Sequence, residues 1–352
     1  MRPAVSGPLQ ELAKLRVLVK TVLTGITTTG APHIGNYVGA IRPAVASSKR
    51  RDARSYFFLA DYHSLIKGID PEQMGRSTLE IAASWIAAGL DPDNVVLYRQ
   101  SDVPEILELS WILTCMTAKG LMNRAHAYKA AVATNEAAAN NDPDKGITMG
   151  LYCYPILMAA DILMFNANEV PVGQDQKQHV EMARDIAARF NHHFGATFAL
   201  PEAVIEENSA VLPGLDGRKM SKSYGNTIPL FLPAKQLRKA IMKIKTNSLE
   251  PGEPKNAEQC SVFAIYRAFA TPEETAQLRK RYAEGIGWGD AKQFVFEYVN
   301  EHLSVARQEY ERLIAEPAHV ESILRAGGQR AREFSVPFIA EIRDRVGVRP
   351  LA

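Results

Sequence analysis

Lys219 and Lys222 stand in the run Gly217-Arg218-Lys219-Met220-Ser221-Lys222-Ser223-Tyr224-Gly225-Asn226, beside two small hydroxyls and between two glycines. Lysine is a point charge on a flexible stem, suited to following a phosphate oxygen rather than gripping it in a fixed fork. Arg218, Lys235, Arg238, Lys239, Lys243 and Lys245 extend the positive charge, and no acid occurs between Gly217 and Leu249. The run reads as an anion-handling loop leading into a basic helix, or as a solvated surface loop. The choice turns on whether the rest of the chain offers a phosphate site.

The stretch from Gly25 through Thr27, Thr28, Thr29 and His33 to Gly35-Asn36 can offer one. It follows a β-rich, mostly apolar run, Arg16 to Thr24, and its glycines and threonines predict a turn before a helix running from near His33 towards Ser47. Strand, Gly-rich turn and helix N-terminus aim free amides and about half a positive charge at a bound anion. The turn is neither GxGxxG nor GxxxxGK[ST], which weakens dinucleotide-binding and P-loop readings.

A third candidate is Asp161, inside the apolar helix expected over Tyr154 to Phe165. A buried carboxylate without a partner is costly. Either an arginine or backbone amides meet it in the core, or it accepts an N–H or O–H from a ligand in an apolar pocket. Val170-Pro171-Val172-Gly173 reads as a short strand, and the polar run Gln174 to His179 opens a helix to Phe190, marking another ligand edge. His192 and His193 have no carboxylate or cysteine at ligand spacing, so no metal site is expected there.

The elements that must hold these residues alternate. Strands are expected at 56–61 and 95–98, and a helix opened by Pro71 and stopped by Gly89 lies between them. Such alternation predicts an α/β fold with a doubly wound parallel sheet whose ligand site lies at the carboxyl ends of the strands. The turn at 27–36 and Asp61-Tyr62-His63 both fall at such ends. The helix over 104–117 carries Ile106, Leu109, Ile112 and Leu113 on one face, widened by Trp111 and Met116; it is core, or it packs against a second copy. An amphipathic segment follows over 119–129, and 134–147 reads as a flexible loop. After the lysine run the strands stop. A basic helix spans 232–245, Thr271-Pro272-Glu273-Glu274 caps a helix ending near Gly285, Asp290 caps a long helix that breaks at Pro317, and 318–346 is helical again.

A chain of 352 residues suits two domains, or one with a helical appendage. Its 46% hydrophobic and 23% charged content is that of an ordinary globular protein, so the net charge of +2 matters less than local clustering. Three cysteines without a CxxC argue against a zinc or disulfide framework and suit a reducing, cytoplasmic setting. The N-terminus has mixed charges and no apolar run of signal-peptide or membrane-spanning length, and its first fifteen or so residues read as a poorly ordered extension.

Thr29-Gly30-Ala31-Pro32-His33-Ile34-Gly35-Asn36 resembles the HIGH motif of class I aminoacyl-tRNA synthetases, and Lys219-Met220-Ser221-Lys222-Ser223 is letter for letter their KMSKS motif. Pro155 to Leu163 and Val170 to Gln176 resemble the core of the tryptophanyl-tRNA synthetases, and the likeness runs from about Val22 to the C-terminus. Gln174 stands where the family commonly has Glu, and Thr27 where it often has Gln; neither change removes a charge the chemistry requires.

The resemblance implies activation of L-tryptophan by ATP, with Mg²⁺, to tryptophanyl-AMP and pyrophosphate, then transfer to the 3′ end of tRNA(Trp). It implies a homodimer, and neither DNA nor a membrane is expected as a partner. The implied organisation is an extension at 1–20, a Rossmann-type catalytic domain at 21–226, an α-helical anticodon-binding domain at 227–324, and a C-terminal helix at 325–352 packing back on the catalytic domain. Lys219, Lys222, Lys129 and His33 would be catalytic. ATP would be held by Thr27, Thr28, Thr29, His33, Gly35, Asn36, Gly173, Asp175 and the loop 219–223, including Met220, Ser221 and Ser223. Tryptophan would be held by Asp161 at the indole N–H, with Met158, Tyr154, Gln176, Val170, Val172, His63 and Gly25. Tyrosyl enzymes carry a tyrosine on the first strand where this chain has Leu23, which favours indole. The lysine loop is expected to be a mobile lid, open or disordered without ATP. The competing readings are a tyrosyl-tRNA synthetase, a nucleotidylyltransferase with an HxGH-like turn, and a synthetase-like RNA-binding paralogue; the last tends to lose the phosphate lysines.

Overall fold

The computed structural model describes residues 19–28, 30–68, 70–139, 141–205 and 212–351. The expected N-terminal extension therefore falls outside the described residues up to 18. The first strand, β1 (Lys20–Thr27), begins and ends about three residues later than the apolar run suggests. The chain then forms a helical turn α1 (Ile34–Asn36), a π-helical segment (Tyr37–Ile41) and α2 (Arg42–Ser48). The continuous helix expected there is thus interrupted by a wider turn.

β2 (Ala53–Ala60) leads directly into α3 (Asp61–Ser64). α4 (Pro71–Ala87) starts at Asp70, whose carboxylate accepts the N–H groups of Glu72 and Gln73, with Pro71 in the first turn. β3 (Val96–Arg99) is followed by a 3₁₀ turn, Gln100–Asp102, and α5 (Glu105–Met116). Two helices, α6 (Lys119–Met122) and α7 (His126–Ala137), replace the single amphipathic segment. The stretch 134–147 is not a loose loop: Asn135 Nδ2 donates to the carbonyls of Pro143 and Lys145, and the Tyr128 hydroxyl donates to Asp144.

α8 (Met149–Met164), β4 (Glu169–Val172), α9 (Lys177–Phe194) and β5 (Glu202–Ile205) complete the sheet. β5 has no counterpart among the expected strands, because its four residues carry no alternating pattern long enough to read. All pairings are parallel, in the order β3-β2-β1-β4-β5. The chain winds outward from β1 to β3, then returns to place β4 on the other side of β1. The crevice beyond β1 and β4 is the topological switch point where such sheets bind ligands.

Strand alternation divides the core. Phe57, Leu59 and Leu97 face one side with Ile34, Ile41 and Trp85, in a cluster continuous with Phe263, Val295 and Leu303 of the later helices. Tyr56, Phe58 and Tyr98 face the other, against Leu109, Leu113, Ile156, Ile186 and Phe338. The helices after the sheet are α10 (Ala234–Met242), α11 (Ser261–Phe269), α12 (Pro272–Ala283), α13 (Trp288–Ala315) and α14 (Pro317–Val346). Thr271 and Glu274 form the expected capping box on α12. Gly287, not Asp290, occupies the N-cap of α13; Asp290 lies inside the first turn, where its charge still complements the helix dipole. α14 is unbroken from Pro317, so an edge at 325 would cut a continuous helix. It lies directly on β3: a Cβ at Gly327 would sit 1.6 Å from the Leu97 carbonyl oxygen.

Candidate active site

The lysine run reaches the helix-start turn because the chain just beyond it pairs with that turn. Ile34 N donates to Ile228 O at 3.0 Å and Leu230 N to Pro32 O at 2.9 Å. Within the run, Met220 N donates to Leu212 O at 2.8 Å, Asn226 Oδ1 accepts from Ser221 N at 2.8 Å, and Asn226 Nδ2 donates to Asp216 at 2.7 Å. The Met220 side chain is buried, while Lys219 and Lys222 remain exposed. Lys222 Nζ donates to the Gly30 carbonyl at 2.7 Å. The open lid expected from the sequence is therefore not the state seen: the buried Met220 and the Lys222–Gly30 bond seat the loop on the turn.

Behind the lysines, His33 and Asn36 cap each other. His33 Nδ1 accepts the N–H of Asn36 at 3.2 Å, and Asn36 Oδ1 accepts that of His33 at 3.1 Å. Burial, with the Lys222 charge second, lowers His33 to about 4. The ring is neutral near pH 7, and because Nδ1 accepts, its proton sits on Nε2. A Cβ at Gly35 would stand 3.0 Å from His33 Nδ1 and 3.6 Å from Met220 Sδ, so a bare backbone is what lets loop and ring approach. These residues line a cleft of about 590 Å³ together with Thr27, Asp175, Ser221 and Trp85.

A second pocket, of about 420 Å³, adjoins the first at Gly25 and Thr27, which line both. Alternate residues of β1 face it, Leu23, Gly25 and Thr27, as the two-residue strand period requires. Its walls are apolar, with Phe58, Met158, Ile162, Val170 and Val172, and its polar groups are His63, Tyr154, Asp161 and Gln176. Asp161 is fully buried. Its Oδ2 lies 2.9 Å from His63 Nε2, and its Oδ1 accepts from Gln100 Nε2 at 2.7 Å. Among the described residues neither an arginine nor a backbone amide meets it. Burial pushes the carboxyl up from the usual range, and the bonds from His63 and Gln100 oppose that push. Each carboxylate oxygen has two acceptor sites, so accepting capacity remains. At the other end, the Tyr154 hydroxyl lies 2.6 Å from His179 Nε2, and His179 Nδ1 lies 2.9 Å from Gln176 Oε1. Burial lowers His179; the neutral ring accepts from Tyr154 and donates to Gln176, fixing both side chains.

Several expected site residues are not brought to either cavity. Lys129 lies exposed on α7, whose Ala127 reaches the apolar pocket instead. Thr28 is buried, its hydroxyl 2.7 Å from that of Ser64. Ser223 bonds Ser221 at 2.8 Å rather than lining the cleft. Gly173 stays outside as well; a Cβ there would stand 2.8 Å from Asp175 Oδ1, so it makes room for that carboxylate. Thr29 lies outside the described residues. Conversely, Gln100 is not among the residues singled out in the sequence, and His179 enters there only as the end of the polar run from Gln174. Gln100 follows a strand at its carboxyl end, the same kind of position that Asp61-Tyr62-His63 takes after β2.

The model of the family "tRNA synthetases class I (W and Y)" matches residues 19–304. A tryptophan–tRNA ligase of Xanthomonas axonopodis pv. citri is 61% identical over 333 residues, covering 94% of this chain and 77% of that protein. One from Neisseria meningitidis serogroup A is 58% identical over 332 residues, covering 94% and 99%. The crystal structure of tryptophanyl-tRNA synthetase from Campylobacter jejuni, complexed with ADP and tryptophan, superposes with a TM-score of 0.84 at 40% identity, covering 93% of this chain and 99% of that one.

Proposed function

The chain belongs to the class I tRNA synthetases that serve tryptophan and tyrosine, and from that membership we propose how its own residues carry the reaction. Its activity is that of a tryptophan–tRNA ligase, forming tryptophanyl-AMP from L-tryptophan and ATP and passing tryptophan to tRNA(Trp). The observation that supports the residue assignment best is the contact of two unlike cavities at Gly25 and Thr27, one lysine-lined and one apolar with a buried carboxylate.

In the first step a carboxylate oxygen attacks the α-phosphorus of ATP in line with the leaving pyrophosphate. The nucleophile is already an anion, so the protein positions reactants and meets the charge that grows on the phosphates. We assign that charge to Lys219 and Lys222, with the His33 Nε2–H and the turn at Gly30 to Asn36 holding phosphate and ribose. Thr27, where both cavities meet, sits at the junction of the reacting groups. Among the described residues Asp175 is the single carboxylate lining the cleft. That suits Mg²⁺ entering on ATP and held mainly by phosphate oxygens rather than a resident ion.

For the amino acid, Asp161 accepts the indole N–H, Met158, Val170 and Val172 wall the ring, and Tyr154 and Gln176 face the α-ammonium. Leu23 is hydrocarbon where a phenol would want a partner. A site built around a required donor rejects an analogue lacking it by about 10⁴–10⁵. For tRNA we assign the exposed Lys235, Arg238, Lys239, Lys243 and Lys245, with the helices α10 to α13 as the anticodon side. Trp111, 69% exposed on α5 beside Leu107, offers an apolar face that a second copy would cover in a homodimer. No helix among the described residues is long and apolar enough to cross a membrane, in keeping with a cytoplasmic enzyme.

Pyrophosphate exchange with each amino acid in turn, with and without tRNA, tests the reading. Exchange driven by tryptophan is expected; exchange driven by tyrosine alone, or by no amino acid, would overturn it.

A further inference from the structure

We propose that Gln100 is the positioning residue that sets Asp161 as the indole acceptor, and so a determinant of tryptophan selectivity. The inference rests on the assignment of Asp161 above. Gln100 is fully buried in the 3₁₀ turn that follows β3; it does not line the ligand pocket itself and reaches it by its bond to Asp161, which does. Its Nε2 donates to Oδ1 at 2.7 Å while His63 Nε2 meets Oδ2 at 2.9 Å, so each carboxylate oxygen is pinned from a different strand end.

Against an ionised Asp161 the amide orientation is fixed. A carboxylate accepts and does not donate, so Nε2 must face it, and Gln100 Oε1 is left buried with no hydrogen-bond partner among the described residues. An unmade bond at a buried acceptor costs stability, and an apolar side chain of equal length would avoid it. The contribution of the amide therefore lies in what its N–H does to Asp161. Burial favours the neutral carboxyl, and a neutral carboxyl offers an O–H as well as an acceptor, which blurs the preference for a ligand donor. The N–H of Gln100 favours the anion and fixes the plane in which its remaining lone pairs face the pocket.

The charged and titratable groups around Asp161 are few. His63 and Asp61 stand on α3, the first bonded to Asp161 and the second adding negative charge. Tyr98 on β3 is fully buried, and burial together with the Asp161 charge holds its phenol well above its ordinary value, so it stays neutral.

Pyrophosphate exchange by wild type, Asp161→Ala and Gln100→Met provides the test, using tryptophan and the isosteric alanine analogue bearing benzothiophene, in which sulfur replaces the ring N–H. In Gln100→Met the KM for tryptophan is expected to rise about tenfold or more, as for loss of a bond to a charged group, with kcat and the KM for ATP within about twofold. Discrimination against the benzothiophene analogue should narrow by a similar factor, and the tryptophan KM should fall more steeply with rising pH than it does in wild type. If Gln100→Met does not fold, Gln100→Glu serves. A protonated new carboxyl can still donate to Asp161, so its tryptophan KM should rise with pH as that proton is lost. Wild-type KM, discrimination and pH profile in the variant, or a loss shared equally by kcat and both KM values, would overturn the inference. No tryptophan-dependent exchange in wild type, or an Asp161→Ala variant indistinguishable from it, would overturn the underlying site assignment as well.

Discussion

Lys222 Nζ and the carbonyl oxygen of Gly30 meet at 2.7 Å across 192 residues of sequence. The bond places a movable cation on the carbonyl of the turn that opens α1. Gly30 and Lys222 both line the cleft, so a phosphate entering there competes with the carbonyl for the ammonium. Lys222 can then follow charge as it shifts from the α-phosphorus to the leaving pyrophosphate. Lys222→Ala should lower tryptophan-dependent exchange by roughly 10²–10³, the scale of losing one transition-state donor. Tryptophan affinity by calorimetry should barely change, because the lysine lines only the phosphate cleft. A variant with wild-type exchange would remove Lys222 from the chemistry.

The cap between His33 and Asn36 carries a pH dependence of known sign. His33 is lowered to about 4 from 6.5, first by burial and then by Lys222. The unfolded chain therefore binds the extra proton between those values. The stabilising cap is fully present above pH 6.5 and is lost progressively as pH falls towards 4. Thermal unfolding of wild type and His33→Asn should show the difference, since asparagine can still accept at the N-cap but does not titrate. Relative to the variant, wild type should lose stability over that window. Parallel curves would show that the ring is not held neutral.

Much of this site was legible in the sequence because its parts are local. A turn whose threonines, glycines and histidine precede a helix, a lysine run free of acids, and a carboxylate set in an apolar helix each announce themselves within ten residues. What was not legible depends on distant partners. Whether Asp161 meets an arginine, an amide or a ligand could be decided only by knowing that β3 delivers Gln100 and α3 delivers His63 to it. Thr28 looked equivalent to Thr27, yet strand alternation turns it inward to Ser64. Lys129 could be placed on a helix but not on a face of it. The short β5 lacked a pattern, and its place is set by pairing with β4.

Gly327 fixes how α14 meets the sheet. A Cβ there would lie 1.6 Å from Leu97 O and 2.6 Å from Leu97 C, backbone atoms of the edge strand β3 that its pairing with β2 holds in place. Gly327→Ala should destabilise the fold by about 3 kcal/mol or more, beyond ordinary overpacking. Gly328→Ala meets Asp102 Cβ at 2.9 Å, a side-chain atom, and should cost less. Denaturant midpoints of the two variants check the order. The same substitution should also disturb β3 just ahead of Gln100, so the tryptophan KM is expected to worsen in Gly327→Ala even where it folds.

The basic helix α10 tests the RNA side. Leu237, Ile241 and Ile244 are buried while Lys235, Arg238, Lys239, Lys243 and Lys245 are exposed, so the charge can be altered without touching the core. Arg238 is spent in part on Gln293 at 2.9 Å, which leaves the lysines as the better probes. Cations that neutralise RNA phosphates release counterions, and each contact adds roughly 0.7–0.9 to the slope of log K against log salt. Lys235→Gln with Lys239→Gln should reduce that slope for tRNA(Trp) by about one to two, while tryptophan-dependent exchange without tRNA stays at the wild-type level. The two readouts separate the possibilities cleanly. An unchanged slope would make α10 a solvated face, and a loss of exchange would mean that the substitutions reach the catalytic cleft through the segment that joins α10 to the lysine loop.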